Sequence, residues 1–343
     1  MLLLLTGCLI VFQNSRFQTW LAQEAALRLS EAIGAPVRIG KVKISFFDRA
    51  SFSDFYIEDL HGDTLLFVGT LEANFDDVYL GFKHFDFERV GIRDGQFNVR
   101  QFEGEDDLNI QFLLDVIDPP RQPGDTSHSV PPELFFWNVD IENFDFTYEY
   151  RDGQAGEKGV LDEDYLKLEN INAHLERFLI IQDSLSGDIR RMSLTEHNGF
   201  DIKNLSMEFI VAYTTMDFAK MKLETSRSKL EGKFHFDYDS YGELSNFIEE
   251  VQMRGSVRKS EIDLDELAFF APELKGLNEI LQLKGDFKGR VNHLTGRNVE
   301  MEVLGKTYFK GNFGVQGLPE TETMTFQVVA KDLQTTPDNL RMF

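Results

Sequence analysis

The sequence predicts a mainly β protein of antiparallel strands, led by an apolar segment and an amphipathic helix and interrupted by a short helical insert near residues 262–281. Three observations predict it. Aromatic and polar residues alternate, as in Phe144-Asp-Phe146-Thr-Tyr148-Glu-Tyr150 and Phe234-His-Phe236-Asp-Tyr238, so that the rings share one face of an extended chain. Turn signals recur between such stretches, among them His61-Gly-Asp63, Arg93-Asp-Gly95, Arg151-Asp-Gly153 and Lys284-Gly285. Proline, which removes a ladder donor, is concentrated: five of the nine lie between Pro119 and Pro132, and none between 133 and 271.

The first element is the run Leu2-Leu3-Leu4-Leu5-Thr6-Gly7-Cys8-Leu9-Ile10-Val11-Phe12. It is about half the ~20 residues that a helix needs to cross a hydrocarbon core. Three readings stay open: a membrane anchor whose first residues precede this sequence, a lipoprotein leader cut before Cys8, or a buried terminal segment. No basic stretch precedes the Leu5-Thr6-Gly7-Cys8 box, and Leu9 to Phe12 is very apolar for a mature terminus. Cys8 is the only cysteine, which excludes an intramolecular disulfide and a multi-cysteine metal site.

Next, Phe17, Trp20, Leu21, Ala25 and Leu29 follow helical spacing, and Gly34-Ala35-Pro36 ends the helix. Both an interfacial helix, seated through Phe17, Trp20 and Leu21, and a helix capping a β-core fit this pattern. Residues 1–50 hold six basic and three acidic side chains, a net +3 within a chain of −23. A basic start on an acidic body disfavours nucleic acid and suits a body projecting from anionic lipid.

Residues 37–117 then read as a first β-unit, 118–132 as a proline-rich linker or loop, and 133–343 as a longer β-region that continues beyond Phe343. Within it, Leu264, Leu267, Leu274, Leu277 and Leu281 suggest the helical insert, broken at Pro272. A ladder of one-sided aromatic strands makes a broad apolar surface, to be closed as a core or occupied by ligand. Phe144, Phe146, Tyr148, Phe234 and Phe236 are the candidate lining.

No catalytic, cofactor or metal constellation stands out. Gly305-Lys306-Thr307 ends like a phosphate loop, but Glu300 occupies the position of its first glycine. Asp237-Tyr-Asp239-Ser-Tyr241-Gly242 opens like a calcium loop, yet Tyr241 and Ile248 replace two ligands. The histidines are scattered, and carboxylate pairs such as Asp76-Asp77 and Asp106-Asp107 are expected on the wet surface of so acidic a chain.

Phe17-Gln-Thr-Trp-Leu21-Ala, Gly34-Ala-Pro-Val-Arg-Ile-Gly-Lys-Val-Lys-Ile-Ser45-Phe-Phe-Asp and Phe55-Tyr-Ile-Glu-Asp-Leu60-His-Gly-Asp-Thr-Leu-Leu66 resemble the N-terminus of the TamB and wider AsmA-like family in its Bacteroidetes form. Lys259 to Leu274, Leu283 to Gly289 and Gly305 to Gly317 resemble its middle region. The resemblance implies an N-terminal inner-membrane anchor, formed here by Leu2, Leu3, Leu4, Leu5, Leu9, Ile10, Val11 and Phe12. It also implies an elongated, half-open β-groove in the periplasm of a Gram-negative cell. Phospholipid would be the cargo, carried between inner and outer membranes without catalysis or cofactor. A TamA-like outer-membrane barrel of the BamA-like assembly type would be a partner, with assembly of outer-membrane proteins as the alternative role. The anchor is shorter and the chain far shorter than the family pattern.

Overall fold

The computed structural model describes residues 15–45, 49–79, 84–117, 133–151, 156–162, 164–303, 307–318 and 324–335. The anchor run with Cys8, the proline-rich 118–132, and Gly305 and Lys306 lie outside the described residues. The chain is mainly β and forms two compact units. The first comprises residues 1–156, 162–182 and 194–197; the second comprises 157–161, 183–193 and 198–343.

The first unit opens with helix α1 (Ser15–Ile33), followed by strands β1 (Val37–Arg38), β2 (Lys41–Ser45), β3 (Arg49–Glu58), β4 (Thr64–Tyr79) and β5 (His84–Gln101). Helix α2 (Gln111–Ile117) precedes β6 (Glu133–Tyr150) and β7 (Tyr165–Ile181). The helix α1 ends where the sequence places its stop: Gly34 adopts φ +73° and its N–H donates to Ser30 O at 2.9 Å. The strand order is β1-β3-β4-β5-β6-β7, with β2 also pairing β3.

All these pairs are antiparallel except β5 with β6, which run parallel in register from His84↔Glu133 to Gln101↔Tyr150. The exception follows from connection length. Parallel neighbours need a crossover of a dozen or more residues, which the stretch from 102 to 132, including α2, supplies.

α1 protects a strand edge. The Gln18 side chain, 5% exposed, donates through Nε2 to Ile44 O and accepts from Ile44 N through Oε1, both at 2.9 Å, so it extends the ladder as a strand would. Ala26, Ile33, Ala35, Val37, Ile57 and Leu65 close a small core, against which Ile110, Phe112 and Leu113 pack. Here Asp59, 2% exposed, accepts from the backbone N–H of His61 and Asp63 and from Asn109 Nδ2, each at 2.9 Å.

β8 (Ser184–Glu196) is divided between the units. The second unit continues with β9 (Asp201–Ala212), β10 (Thr215–Thr225), β11 (Lys229–Asp237), helix α3 (Phe247–Glu250), β12 (Gln252–Asp263) and helix α4 (Leu264–Leu267). β13 (Ile280–Arg290), β14 (His293–Val303), β15 (Thr307–Gln316) and β16 (Thr325–Gln334) complete it. β9 to β16 are neighbours in sequence order, antiparallel throughout, and the sheet does not close.

The insert expected near 262–281 is smaller than that span. It holds α4 and a 3₁₀ turn at Pro272–Leu274, while both flanks are strand. Asp263 caps α4 by accepting from Glu266 N, and Glu266 in turn accepts from Thr225 Oγ1 and Ser228 Oγ, which ties the insert to the β10–β11 turn.

Candidate functional site

Each unit carries a candidate site on one face of its strands, assembled row by row. In the first unit, Phe75, Phe87, Phe136 and Phe178 oppose one another across β4, β5, β6 and β7. Their ring centroids are 5.1, 4.9 and 5.7 Å apart, within the range of favourable aromatic pairing. Further rows on this face are Ala73-Val90-Val139-Leu175 and Leu71-Ile92-Ile141-Ala173. The predicted lining residues follow: Phe146 sits between Phe97 and Leu168, and Tyr148 between Val99 and Leu166. Phe144 lies over Gly95, where an added Cβ would come within 2.6 Å of the ring.

The rows stay aligned because the strands carry bulges whose residues tolerate positive φ. Asp94, Asn143 and Asn170 adopt φ +56°, +52° and +53°. Their neighbours mend the interrupted ladder: Asn143 Nδ2 donates to Asp94 Oδ1 at 2.7 Å, and Asn170 N to Asp145 Oδ1 at 2.9 Å. On the opposite face stand ion pairs such as Arg93–Glu72 at 2.8 Å and Arg100–Glu149 at 2.8 Å.

The second unit repeats the scheme with longer rows. Val211, Met216, Phe236 and Met253 form one. Beside it, Phe209, Phe218 and Phe234 lead through Gly255 to Phe287, then through Gly296 to Phe313 and Val328. The glycines make room: a Cβ at Gly255 would meet the Phe234 ring at 2.9 Å, and one at Gly296 the Phe313 ring at 2.6 Å. Thus Phe234 and Phe236, both named from sequence, share a face, with centroids 6.5 Å apart.

A register rule runs through β10 to β16. The even-numbered strands each carry a bulge that sets two successive residues on the polar face, at Ala219-Lys220, Arg258-Lys259, Arg297-Asn298 and Lys331-Asp332. β11, β13 and β15 carry none and place Gly232, Gly285 and Gly311 against the bulges. At Gly311 a Cβ would come 2.3 Å from Val329 O, so the crease requires its glycine.

Burial separates this face from an ordinary core. Phe144, Phe146, Tyr148, Phe234 and Phe236, like Phe87, Phe136, Phe209, Phe218, Phe287 and Phe313, are only half-buried. The fully covered apolar residues are mostly small ones between the rings, including Val139, Ala173, Val257 and Val299. Sequence reasoning missed Phe136, Phe178, Phe209, Phe218, Phe287 and Phe313. A bulge at Ala219-Lys220 cuts short the alternation after Phe218, while on the bulge-free β13 and β15 glycine stands where the next ring would, as Gly285 beside Phe287 and Gly311 beside Phe313.

α1 presents a second apolar surface. Trp20 is 56% exposed, Leu21 42% and Leu27 55%, with Phe17 half-buried and 5.8 Å from the Trp20 ring. The helix therefore packs inward through Gln18, Ala26 and Ile33 and turns outward the face that the sequence singles out. No described helix is long and apolar enough to cross a membrane.

On the polar face of the second unit, His235 lies between Asp217 and Asp237, at 2.6 and 2.8 Å, and Arg254 reaches Asp237 at 2.7 Å. The hydrogen bond to Asp217 raises the histidine's pKa above its ordinary 6.5 against the opposing effect of burial, with Asp237 adding to it. Among the described residues no group of three His, Cys, Asp or Glu side chains is placed to hold a metal ion. No protein-family model matches the chain, and no curated protein matches it either.

Proposed function

We propose that the apolar sheet face holds phospholipid acyl chains. In this reading the protein is a non-enzymatic, membrane-anchored groove that carries lipid between the inner and outer membranes of a Gram-negative envelope. The observation that supports it is the half-buried state of the aromatic rows, from Phe75-Phe87-Phe136-Phe178 to Phe209-Phe218-Phe234. Rings of this size stabilise a fold by ~1.5–3 kcal/mol each when removed from water, and a face that leaves many of them partly wet suits an apolar ligand. The resemblance to TamB and AsmA-like proteins supplies the cargo and the periplasmic setting. Photocrosslinkers placed at Phe144 and Phe236, with mass spectrometry of the purified protein, test this. Phospholipid adducts at both positions are the expected result; clean protein with no adduct at either removes the conduit reading.

A second reading is favoured by β16, all ten of whose residues are exposed, with Phe326 at 59%, Val328 at 58% and Val329 at 65%. A strand so exposed is a template for strand addition. In this reading the protein is a scaffold for outer-membrane protein assembly that docks a TamA-like barrel. Pull-down of such a barrel by lipid-free protein supports it over lipid carriage.

A further inference from the structure

The polar face of the second unit breaks the sign of the chain around it. At the crease between β12 and β16 a cleft of about 680 Å³ collects Arg258, Lys259, Lys284, Lys310 and Lys331. The bulges cause this convergence. Arg258-Lys259 and Lys331 are the extra polar-face residues of β12 and β16, and Lys284 and Lys310 flank the bulge-facing Gly285 and Gly311 on the intervening strands.

Three carboxylates share the cleft, Asp286, Glu300 and Glu302. Two of them are already engaged. Glu300 accepts from Lys310 Nζ at 2.8 Å, and Asp286 accepts from Ser256 Oγ at 2.9 Å. Arg258, Lys259 and Lys331 form no ion pair among the described residues. The cleft lining thus holds five cations against three carboxylates, with Asp332 opposite Lys310 at its edge, in a chain whose net charge is −23.

We propose that this cleft is a binding site for a phosphate ester, separate from the apolar face and independent of its lipid reading. Charge complementarity selects the ligand: a phosphate monoester carries about −1.5 to −2 at pH 7 and three acceptor oxygens, enough to engage several of these cations at once, whereas a carboxylate brings one charge and two oxygens. Its volume falls within the ~300–1,000 Å³ of small-molecule sites. The arginine offers the planar fork that engages two phosphate oxygens at once, and the lysines add point charges. Asn298 and the Tyr308 hydroxyl supply further polar groups on the cleft wall.

The same phosphate chemistry is found on a free metabolite and on a lipid headgroup, and the test separates them. sn-Glycerol 3-phosphate is titrated into the full chain by calorimetry, and the chain is floated with vesicles containing phosphatidic acid, whose headgroup is likewise a phosphate monoester. The variant Arg258→Gln/Lys259→Gln/Lys284→Gln is compared with a charge-matched control, Lys203→Gln/Lys229→Gln/Lys275→Gln. Saturable binding that the cleft variant weakens at least tenfold and the control less than twofold supports the site. Response in the soluble arm assigns a free phosphate ester; response in the vesicle arm alone assigns a headgroup. Absence of wild-type binding in both arms, or equal weakening by both variants, overturns the proposal. Unchanged circular dichroism of the variants excludes unfolding as the cause.

Discussion

His235 shows what the polar face asks of a single residue. Its neighbours are Asp217 on β10, Asp237 on its own strand β11, and Arg254 on β12, which shares Asp237. Because the folded pKa lies above the unfolded value, the protonated imidazole favours the native state. That contribution is complete below the unfolded pKa of ~6.5 and is lost as pH rises through the raised folded pKa. Thermal stability is therefore expected to fall as pH climbs from about 6 towards 8, more steeply in the wild type than in Asp217→Asn. Side-chain NMR titration of His235 should show a midpoint above 6.5, and a midpoint at or below it contradicts the assignment. Asp237 stood in the sequence at the head of Asp237-Tyr-Asp239, and Asp217 carried no local signal. That they close on one histidine depends on the register of β10 and β11, which no local pattern specifies.

At the scale of the element, the alternation of polar and apolar residues was enough to identify most strands and one apolar face. It set Phe144, Phe146 and Tyr148 on one side of a strand and Phe234 and Phe236 on one side of another; in the structure the first three lie on β6 opposite Ile171, Leu168 and Leu166, and the other two on β11 opposite Phe218 and Met216. It did not reveal the bulges. A bulge spends one residue without advancing the register, so Phe218 and Met221 share a face although their spacing is three. The parallel pairing of β5 and β6 was equally invisible, since it depends on the length of the connection rather than on either strand. Asn298 offers the test. Deleting it should leave Glu300 and Glu302 on the polar face of β14 and Met301 on the apolar one, because the extra residue alone is lost, whereas deleting Glu300, which lies outside the bulge, should bring Glu302 onto the apolar face and take Met301 and Val303 off it. For the Glu300 deletion the expected outcome is loss of cooperative unfolding in the second unit, read as rapid amide exchange across β13 to β15 while amides of β4 to β6 remain protected; the Asn298 deletion should keep β13 to β15 protected. Equal loss of protection in the two deletions, or retained protection of β14 in both, would remove the bulge from its assigned role.

For the whole molecule, the sequence carried the charge asymmetry and the apolar stripe of the first helix, and left open whether that stripe meets a membrane or a β-core. The burial of Gln18 reversed the simple expectation that its polar residues face water. Its amide is matched by both backbone groups of Ile44, which offsets the cost of burial. With that side occupied, Trp20, Leu21 and Leu27 stay outside, close to Arg16 and Arg28 in the sequence. The membrane reading then predicts that Trp20→Ser/Leu21→Ser reduces co-flotation with anionic vesicles at least fivefold without altering thermal stability. An unaffected flotation, or a matching loss of stability, assigns the stripe to packing instead. The anchor itself rests on residues before Asn14, and the cargo on chemistry that a sheet face shares with any apolar ligand.

The alternation of bulged and glycine-bearing strands has a consequence for growth. Each bulge from β10 onward is answered by a glycine next door, so adding or removing one strand would set bulge against bulge or glycine against glycine and break the crease. Two strands gained or lost together, one of each kind with the turn between them, leave every remaining contact as it was. Within its interior such a sheet changes length in hairpin steps, and chains built on the same alternation should differ there by even numbers of strands.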